Sequence, residues 1–299
     1  MEERLFNNLV LESVLGEGGT ATVYRARQLS TGRPVAVKVL KRDFVRTAED
    51  IERFQNEAKA CARFQHRNIV RVYDTGEFQG TYYFVMELVE GYTFASYLQR
   101  KGHLSVDDAV IIMESVADAL QYAWQRFRVV HCDLKPDNLM ADTDGTVKLM
   151  DLGISRSLLS AAKAATADDS GEIMGTPAYM SPEQIYDLPD LDCRSDIYSL
   201  GATLYHLLTG QTLFPGRTDQ QVVDAHIGPN FARDPRIIVP EMPRALALML
   251  NRMLAKDRAL RYPNWETLAA DIAHLYAGEA LLATPLKAGE SSVSFTVEW

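Results

Sequence analysis

The hydrophobic period of this chain changes near residue 90, and that change restricts its fold more than any other feature. Before it, short runs rich in Val, Tyr and Thr and separated by Gly read as strands: "LVLESVLGEG", "TATVYRARQ", "RPVAVKVLK", "IVRVYDTGEF" and "TYYFVMELV". One helical pattern interrupts them. From Thr47 to Phe64, the residues Ile51, Phe54, Ala58 and Cys61 recur at spacings of three and four, which is one face of a helix. After "VEGYTF" the longer helical period takes over. "SVDDAVIIMESVADALQYAW" predicts a helix with Ser105 as N-cap and Asp108 completing a capping box. "NLMADTDGTVKLMD" predicts two short strands joined by an Asp-Gly turn, and from about Ser195 the chain is mostly helical. A small strand-rich lobe therefore precedes a larger helical one, and ligand clefts favour such boundaries.

Composition removes several function classes. The 299 residues carry a net charge of -9, which argues against general affinity for nucleic-acid backbones or anionic membranes. The three cysteines, Cys61, Cys132 and Cys193, are too scattered for a disulfide framework and form no CxxC zinc pair, so a reducing, cytosolic compartment fits best. The start, "MEERLFNNLV", lacks the apolar stretch of a signal peptide. No window approaches the ~18 apolar residues that a membrane helix needs. A cytoplasmic domain is expected, with a membrane-anchored parent left open.

Three stretches carry chemistry. "GEGGTA", residues 16 to 21, lies between two predicted strands, where glycines let backbone N–H groups approach phosphate oxygens. By itself it reads as a simple hairpin turn, and its strand context argues against a dinucleotide fold. In "VAVK", Lys38 ends an apolar strand and must either find an anion or snorkel to water, because burying a lone charge is costly. Glu57, on the predicted helix, is the candidate partner. Third, "VVHCDLKPDNLM" crowds Asp133, Lys135 and Asn138 around Pro136, with apolar residues on both sides. Asp133 and Asn138 are candidates for a base and a neutral oxygen ligand, and Asp151, which follows the Asp-Gly hairpin, brings a second oxygen ligand. Hard cations such as Mg²⁺ prefer oxygen donors.

Taken together, GEGGTATV, VAVK, Glu57, HCDLKPDN, DLG, GTPAYMSPE and SDIYSLG resemble the eukaryotic-type (Hanks-type) protein kinases of the Ser/Thr branch. The series covers roughly residues 9 to 276 in the family's order, and "GTPAYMSPEQ" and "RSDIYSLGATLYHLLTG" are especially similar to bacterial members. The resemblance implies an α+β, bilobal protein kinase fold. Its N-lobe, about 1–88, would be strand-rich with one main helix, and its C-lobe, about 89–276, larger and mostly helical. Residues 277–299 would form a C-terminal tail or juxtamembrane-type linker.

The resemblance also implies roles. Gly16 and Gly18 would cover the ATP phosphates, and Lys38, paired with Glu57, would hold the α- and β-phosphates. Asp151 and Asn138 would bind Mg²⁺, Asp133 would accept the hydroxyl proton, and Lys135 would offset charge on the moving phosphoryl group. Val23, Ala36 and Met140 would sandwich adenine, with Met86 as gatekeeper and Glu87 and Val89 as hinge residues. Cys61 would join a buried column with His131 and Leu152. Thr176 in "GTPAYMSPE", together with Lys135, marks Ser/Thr rather than Tyr specificity. Asp196 would bind catalytic-loop N–H groups, and Glu183 would pair with Arg261.

Three positions depart from the family pattern. Cys132 replaces the arginine that normally meets a phosphate on the activation segment, so activation here should depend less on that contact. Leu152 replaces phenylalanine, and Ser181 replaces alanine in a substitution expected to be neutral. Within the segment from Ile154 to Met174, Ser155, Ser157, Ser160, Thr166 and Ser170 are candidate autophosphorylation sites, Thr166 and Ser170 foremost. Asp168 and Asp169 would partly mimic phosphate. The expected partners are protein substrates with Ser or Thr acceptors and a second copy of the chain for trans-autophosphorylation. A pseudokinase scaffold that binds nucleotide without transfer is the alternative, and a small-molecule kinase is opposed by "GTPAYMSPE".

Overall fold

A computed structural model of the chain describes residues 4–41, 61–152 and 176–295. The described residues form two compact units. The first takes the chain up to Gly91 together with Met150, Asp151 and Leu152; the second takes Tyr92–Leu149 and the residues from Thr176 onward. The strand-rich part is thus not one continuous stretch, because the chain returns to it just after the predicted Asp-Gly hairpin.

The first unit is built on a six-stranded antiparallel sheet: β1 (Arg4–Phe6), β2 (Leu9–Glu17), β3 (Ala21–Gln28), β4 (Pro34–Leu40), β5 (Val72–Phe78) and β6 (Thr81–Met86), in spatial order β1-β2-β3-β4-β6-β5. Alternation explains its two faces. Val35 and Val37 turn to one side, where they pack with Leu9, Ala26, Tyr83 and Val85. Ala36 and Lys38 turn to the other. Cross-strand register sets Val23 beside Lys38 and Met86 beside Ala36, so all four share that second face. Gly76 is required for close packing: a Cβ there would lie 2.5 Å from the Tyr83 hydroxyl. The helix expected from Thr47 to Phe64 falls, except for its last residues from Cys61, outside the described residues.

The second unit holds a three-stranded sheet of β7 (Gly91–Thr93), β8 (Leu139–Asp142) and β9 (Val147–Leu149). Gly145 (φ 83°) turns the β8–β9 hairpin, as the Asp-Gly pair predicts. Its main helices are α1 (Phe94–Lys101), α2 (Val106–Phe127), α3 (Pro182–Ile185), α4 (Cys193–Thr209), α5 (Asp219–Ile227), α6 (Pro235–Ile238), α7 (Arg244–Met253) and α8 (Trp265–Ala277). Helix α2 starts at Ser105, whose hydroxyl accepts from the Asp108 N–H. Asp108 answers with a carboxylate oxygen 2.7 Å from that same hydroxyl, which differs from the backbone-directed arm of a capping box. Nearly every residue of α4 is buried, which makes it the axis of the unit: α2 and α7 both pack on it. Gly201 permits this, since a Cβ there would stand 3.0 Å from Met253 Cβ. Beyond α8 the chain does not leave the unit; Val293 is buried in the same cluster as Tyr179, Tyr198 and Leu254.

Candidate active site

The face of the first unit that bears Lys38 carries its chemistry. Lys38 is buried, and its ammonium lies 2.8 Å from Asp151 Oδ1. The costly buried charge noted in the sequence therefore has an anion beside it. Asp151 adopts left-handed backbone geometry (φ 58°), a conformation Asp tolerates better than most residues. Next to it, Leu152 is buried and its carbonyl accepts from Cys61 Sγ at 3.2 Å. Glu57, expected as the Lys38 partner, lies outside the described residues. In the β2–β3 hairpin, Gly16 pairs with Val23 and the Gly18 N–H donates to the Ala21 carbonyl at 2.9 Å. A Cβ at Gly16 would meet nothing within 4 Å, so the turn itself does not demand glycine there.

Along the same face, Ala36 and Met86 are buried and Val23 is half-buried; Glu87 and Val89, just beyond β6, are half-buried as well. Glu87 donates its N–H to the Arg71 carbonyl at 2.8 Å, and its carboxylate accepts from the Arg71 N–H at 3.1 Å. Its backbone donor is thus committed within the unit.

In the second unit, two of the predicted residues, Lys135 and Asn138, meet at Asp133. Lys135 Nζ lies 3.0 Å from Asp133 Oδ1 and 2.9 Å from Oδ2, and donates to Thr176 Oγ1 at 2.8 Å. Asn138, placed by the short turn Pro136–Asn138, donates its amide to the Asp133 carbonyl at 2.7 Å and to Oδ2 at 2.9 Å. Those bonds commit the amide nitrogen and leave the carbonyl oxygen as the hard donor. The Asp133 side chain keeps about a fifth of its surface exposed, so it remains reachable. Met140 stands half-buried on β8.

Beneath this cluster the loop is held from below. His131 and Cys132 donate their N–H groups to the two Asp196 oxygens at 2.7 and 3.0 Å. Burial pushes the Asp196 carboxyl above its ordinary range, against the pull of His131 and these N–H donors. Gln184 Nε2 donates to the Cys132 carbonyl at 2.7 Å. Cys132 needs these anchors because its φ of 66° costs a non-glycine residue about 1–2 kcal/mol. Arg261 makes a bidentate pair with Glu183 at 2.5 and 2.8 Å, both side chains buried.

Ser181, expected to be neutral, has its hydroxyl fully engaged. It caps α3 through a reciprocal box with Gln184, and its buried hydroxyl lies 2.7 Å from Ser195 Oγ. Sequence could have exposed the cap, since Ser181 stands three residues before Gln184. It carries no sign of the distant Ser195 contact. The candidate phosphorylation sites Ser155, Ser157, Ser160, Thr166 and Ser170, with Asp168 and Asp169, lie outside the described residues. Among those residues, no cluster of three or more His, Cys, Asp or Glu is arranged to hold a metal by itself. No helix there is long and apolar enough to cross a membrane.

Residues 9–272 match a model of the protein kinase domain family. The chain is 34% identical over 279 residues to the Serine/threonine-protein kinase PrkC of Bacillus subtilis, covering 93% of this chain and 42% of that protein. It is 35% identical over 268 residues to the Serine/threonine-protein kinase PknL of Mycobacterium tuberculosis, covering 90% and 65% respectively. It spans about two fifths of the length of the PrkC, CA_C1728 and PknB relatives. Among solved structures, the PknI kinase domain of M. tuberculosis superimposes with a TM-score of 0.73 at 26% identity, over 92% of this chain and 98% of that one.

Proposed function

This chain belongs to the protein kinase domain family, and from that premise we propose that it transfers the γ-phosphoryl group of ATP to Ser and Thr hydroxyls of proteins, itself included. The observation that supports this most is the convergence of Lys135 and Asn138 on Asp133, with Thr176 on the far side of the lysine. An acceptor hydroxyl that bonds the exposed part of the Asp133 carboxylate is aimed by it and can pass it a proton. Lys135, held between Asp133 and Thr176, sets positive charge where a phosphoryl group in transfer would carry negative charge. Phosphoryl transfer needs little covalent help, so a few well-placed charges suffice.

In the first unit, Lys38 is the cation assigned to the α- and β-phosphates. The hairpin of Gly16 and Gly18 is assigned to covering the phosphates, and the face of Val23, Ala36 and Met86 to the adenine. Glu87, its N–H already committed, would contribute through its carbonyl, and Val89 through its backbone. Met140, carried by the second unit, is assigned to the adenine too, and Glu57 to Lys38. Asp151 and Asn138 offer a carboxylate and an amide oxygen, the donor chemistry that suits Mg²⁺, whose remaining ligands would come from phosphate and water. The metal would neutralise charge developing on the phosphates. A cytoplasmic location fits this reading, whether or not a parent chain is membrane-anchored; Cys61, Cys132 and Cys193 are buried and form no disulfide.

Purified protein incubated with γ-labelled ATP tests the proposal. Label should enter Ser and Thr with Mg²⁺ and not without it, with Thr166 and Ser170 among the modified residues. Tight nucleotide binding without label on the chain or on an added acceptor would turn the reading toward a scaffold.

A further inference from the structure

The segment after α8 lies beyond the residues matched by the family model, yet it is woven into the second unit. Asp271, fully buried, accepts the Leu282 and Ala283 N–H groups at 2.6 and 3.1 Å. Farther on, the Ser292 N–H donates to the Leu254 carbonyl at 2.8 Å, and the Ala232 and Ser294 N–H groups tie the two stretches together at 2.7 and 2.9 Å. Val293 then packs in one apolar cluster with Tyr179 and Tyr198, with Ala178 and Phe295 against its edge. Tyr179 and Ala178 belong to the turn Pro177–Tyr179, directly after Thr176.

A polar relay runs through the same place. The Ser292 hydroxyl lies 2.8 Å from the Tyr198 hydroxyl, which lies 2.7 Å from His226 Nδ1. All three residues are fully buried. Burial first, and then Lys256, hold the His226 ring down at about 4, while the Pro177 and Ala178 backbone pulls weakly the other way. The ring is therefore neutral at pH 7. If Tyr198 donates to Nδ1, the proton sits on Nε2, which has no hydrogen-bond partner. Helices α4 and α5, which carry Tyr198 and His226, both contact the Pro177–Tyr179 turn.

We propose that residues 279–295 form a strut that fixes the turn Pro177–Tyr179 through Ser292, Tyr198, His226 and Val293, and so tunes affinity for the protein acceptor. This rests on the reading that the segment beginning at Thr176 receives that acceptor. A buried relay suits the role. Its donors and acceptors permit few arrangements, and the His226 ring faces the Pro177 and Ala178 backbone, so the seating of the turn is coupled to the relay. The strut bears on Asp271, Leu254, Ala232, Tyr198 and Tyr179, so it acts by positioning and not on reacting atoms.

The test compares the full chain with Ser292→Ala, Tyr198→Phe and Val293→Ala, using Leu282→Ser as the control because Leu282 is exposed on the same segment. Steady-state kinetics with dephosphorylated casein should show KM for casein raised about fivefold, the factor for losing one ~1 kcal/mol hydrogen bond, with KM for ATP unchanged. Hydrogen exchange of the 176–181 amides should quicken in the three variants and not in the control, while α2 stays protected. Unchanged exchange at 176–181 overturns the proposal. So does an equal loss of protection throughout the unit, and so does a rise in both KM values together. If the unsubstituted chain transfers no phosphate, the kinase reading fails, and the exchange measurement still decides the strut.

Discussion

At the scale of single residues, the second unit concentrates its chemistry on one carboxylate. Asp133 accepts from both Lys135 and Asn138, and Thr176 completes the lysine's coordination. Thr176→Val removes one hydrogen bond to a charged group, worth about 1.5–3 kcal/mol, so kcat should fall roughly tenfold to a hundredfold while the protein stays folded. Steady-state assays beside a circular dichroism melt would check both halves of that statement. Cys132 lies next to this cluster, buried, with its backbone committed to Asp196 and Gln184. A thiol cannot pair with a phosphate as the usual arginine does. Phosphatase-treated protein should therefore keep most of its activity, and complete loss would show that a segment phosphate acts by another route. Asp133, Lys135, Asn138 and Asp151 were all visible in the sequence, because motif and spacing are local properties. The left-handed backbone of Cys132 was not, since no glycine marks it and the bonds that sustain it come from residues far along the chain.

His226 sets a pH dependence that belongs to the same scale. Its folded value of about 4 lies below the ordinary 6.5, with Lys256 and Tyr198 as the ionisable groups around it. Between those values the unfolded chain binds a proton that the folded chain does not. Stability should thus fall as pH drops from 6.5 toward 4, by about 2 kcal/mol between pH 7 and pH 5 from this group. Denaturant midpoints at the two pH values, compared with those of His226→Gln, isolate it. An identical decline in the variant would remove His226 as the source.

At the scale of elements, the acceptor side is held by helix α3 and its partners. Ser181 caps that helix, and Glu183 within it is locked to Arg261 in a fully buried pair. Arg261→Met leaves the Glu183 carboxylate uncompensated in the interior, which should cost about 3–5 kcal/mol. Urea unfolding followed by tryptophan fluorescence would measure it, and a loss under 1 kcal/mol would mean that water reaches Glu183. The elements themselves were largely legible. Runs rich in Val, Tyr and Thr separated by Gly gave the strands, Asp-Gly gave the β8–β9 hairpin, and Ser105 marked the start of α2. Less visible was how elements end against each other. The Ser181–Ser195 contact joins residues 14 apart through tertiary packing, and no local pattern announces it.

At the scale of the whole molecule, the chain divides its chemistry between two units. One holds Lys38 with Asp151; the other holds Asp133 with Lys135, Asn138 and Thr176. The period change near residue 90 made the division readable, and the return of residues 150–152 to the first unit was not, because three residues carry no period. The docking of residues 279–295 was equally hidden: the stretch reads as a polar tail, and its anchors, Asp271, Leu254 and Tyr198, are scattered over earlier helices. The measurement that bears most directly on the central claim is phosphoryl transfer by Asp133→Asn. Labelled-ATP assays should show transfer reduced by about 10²–10⁴-fold, with nucleotide affinity and melting temperature close to those of the parent protein. Transfer at the parent rate by the same variant would contradict the assignment of Asp133, and with it the account of this site.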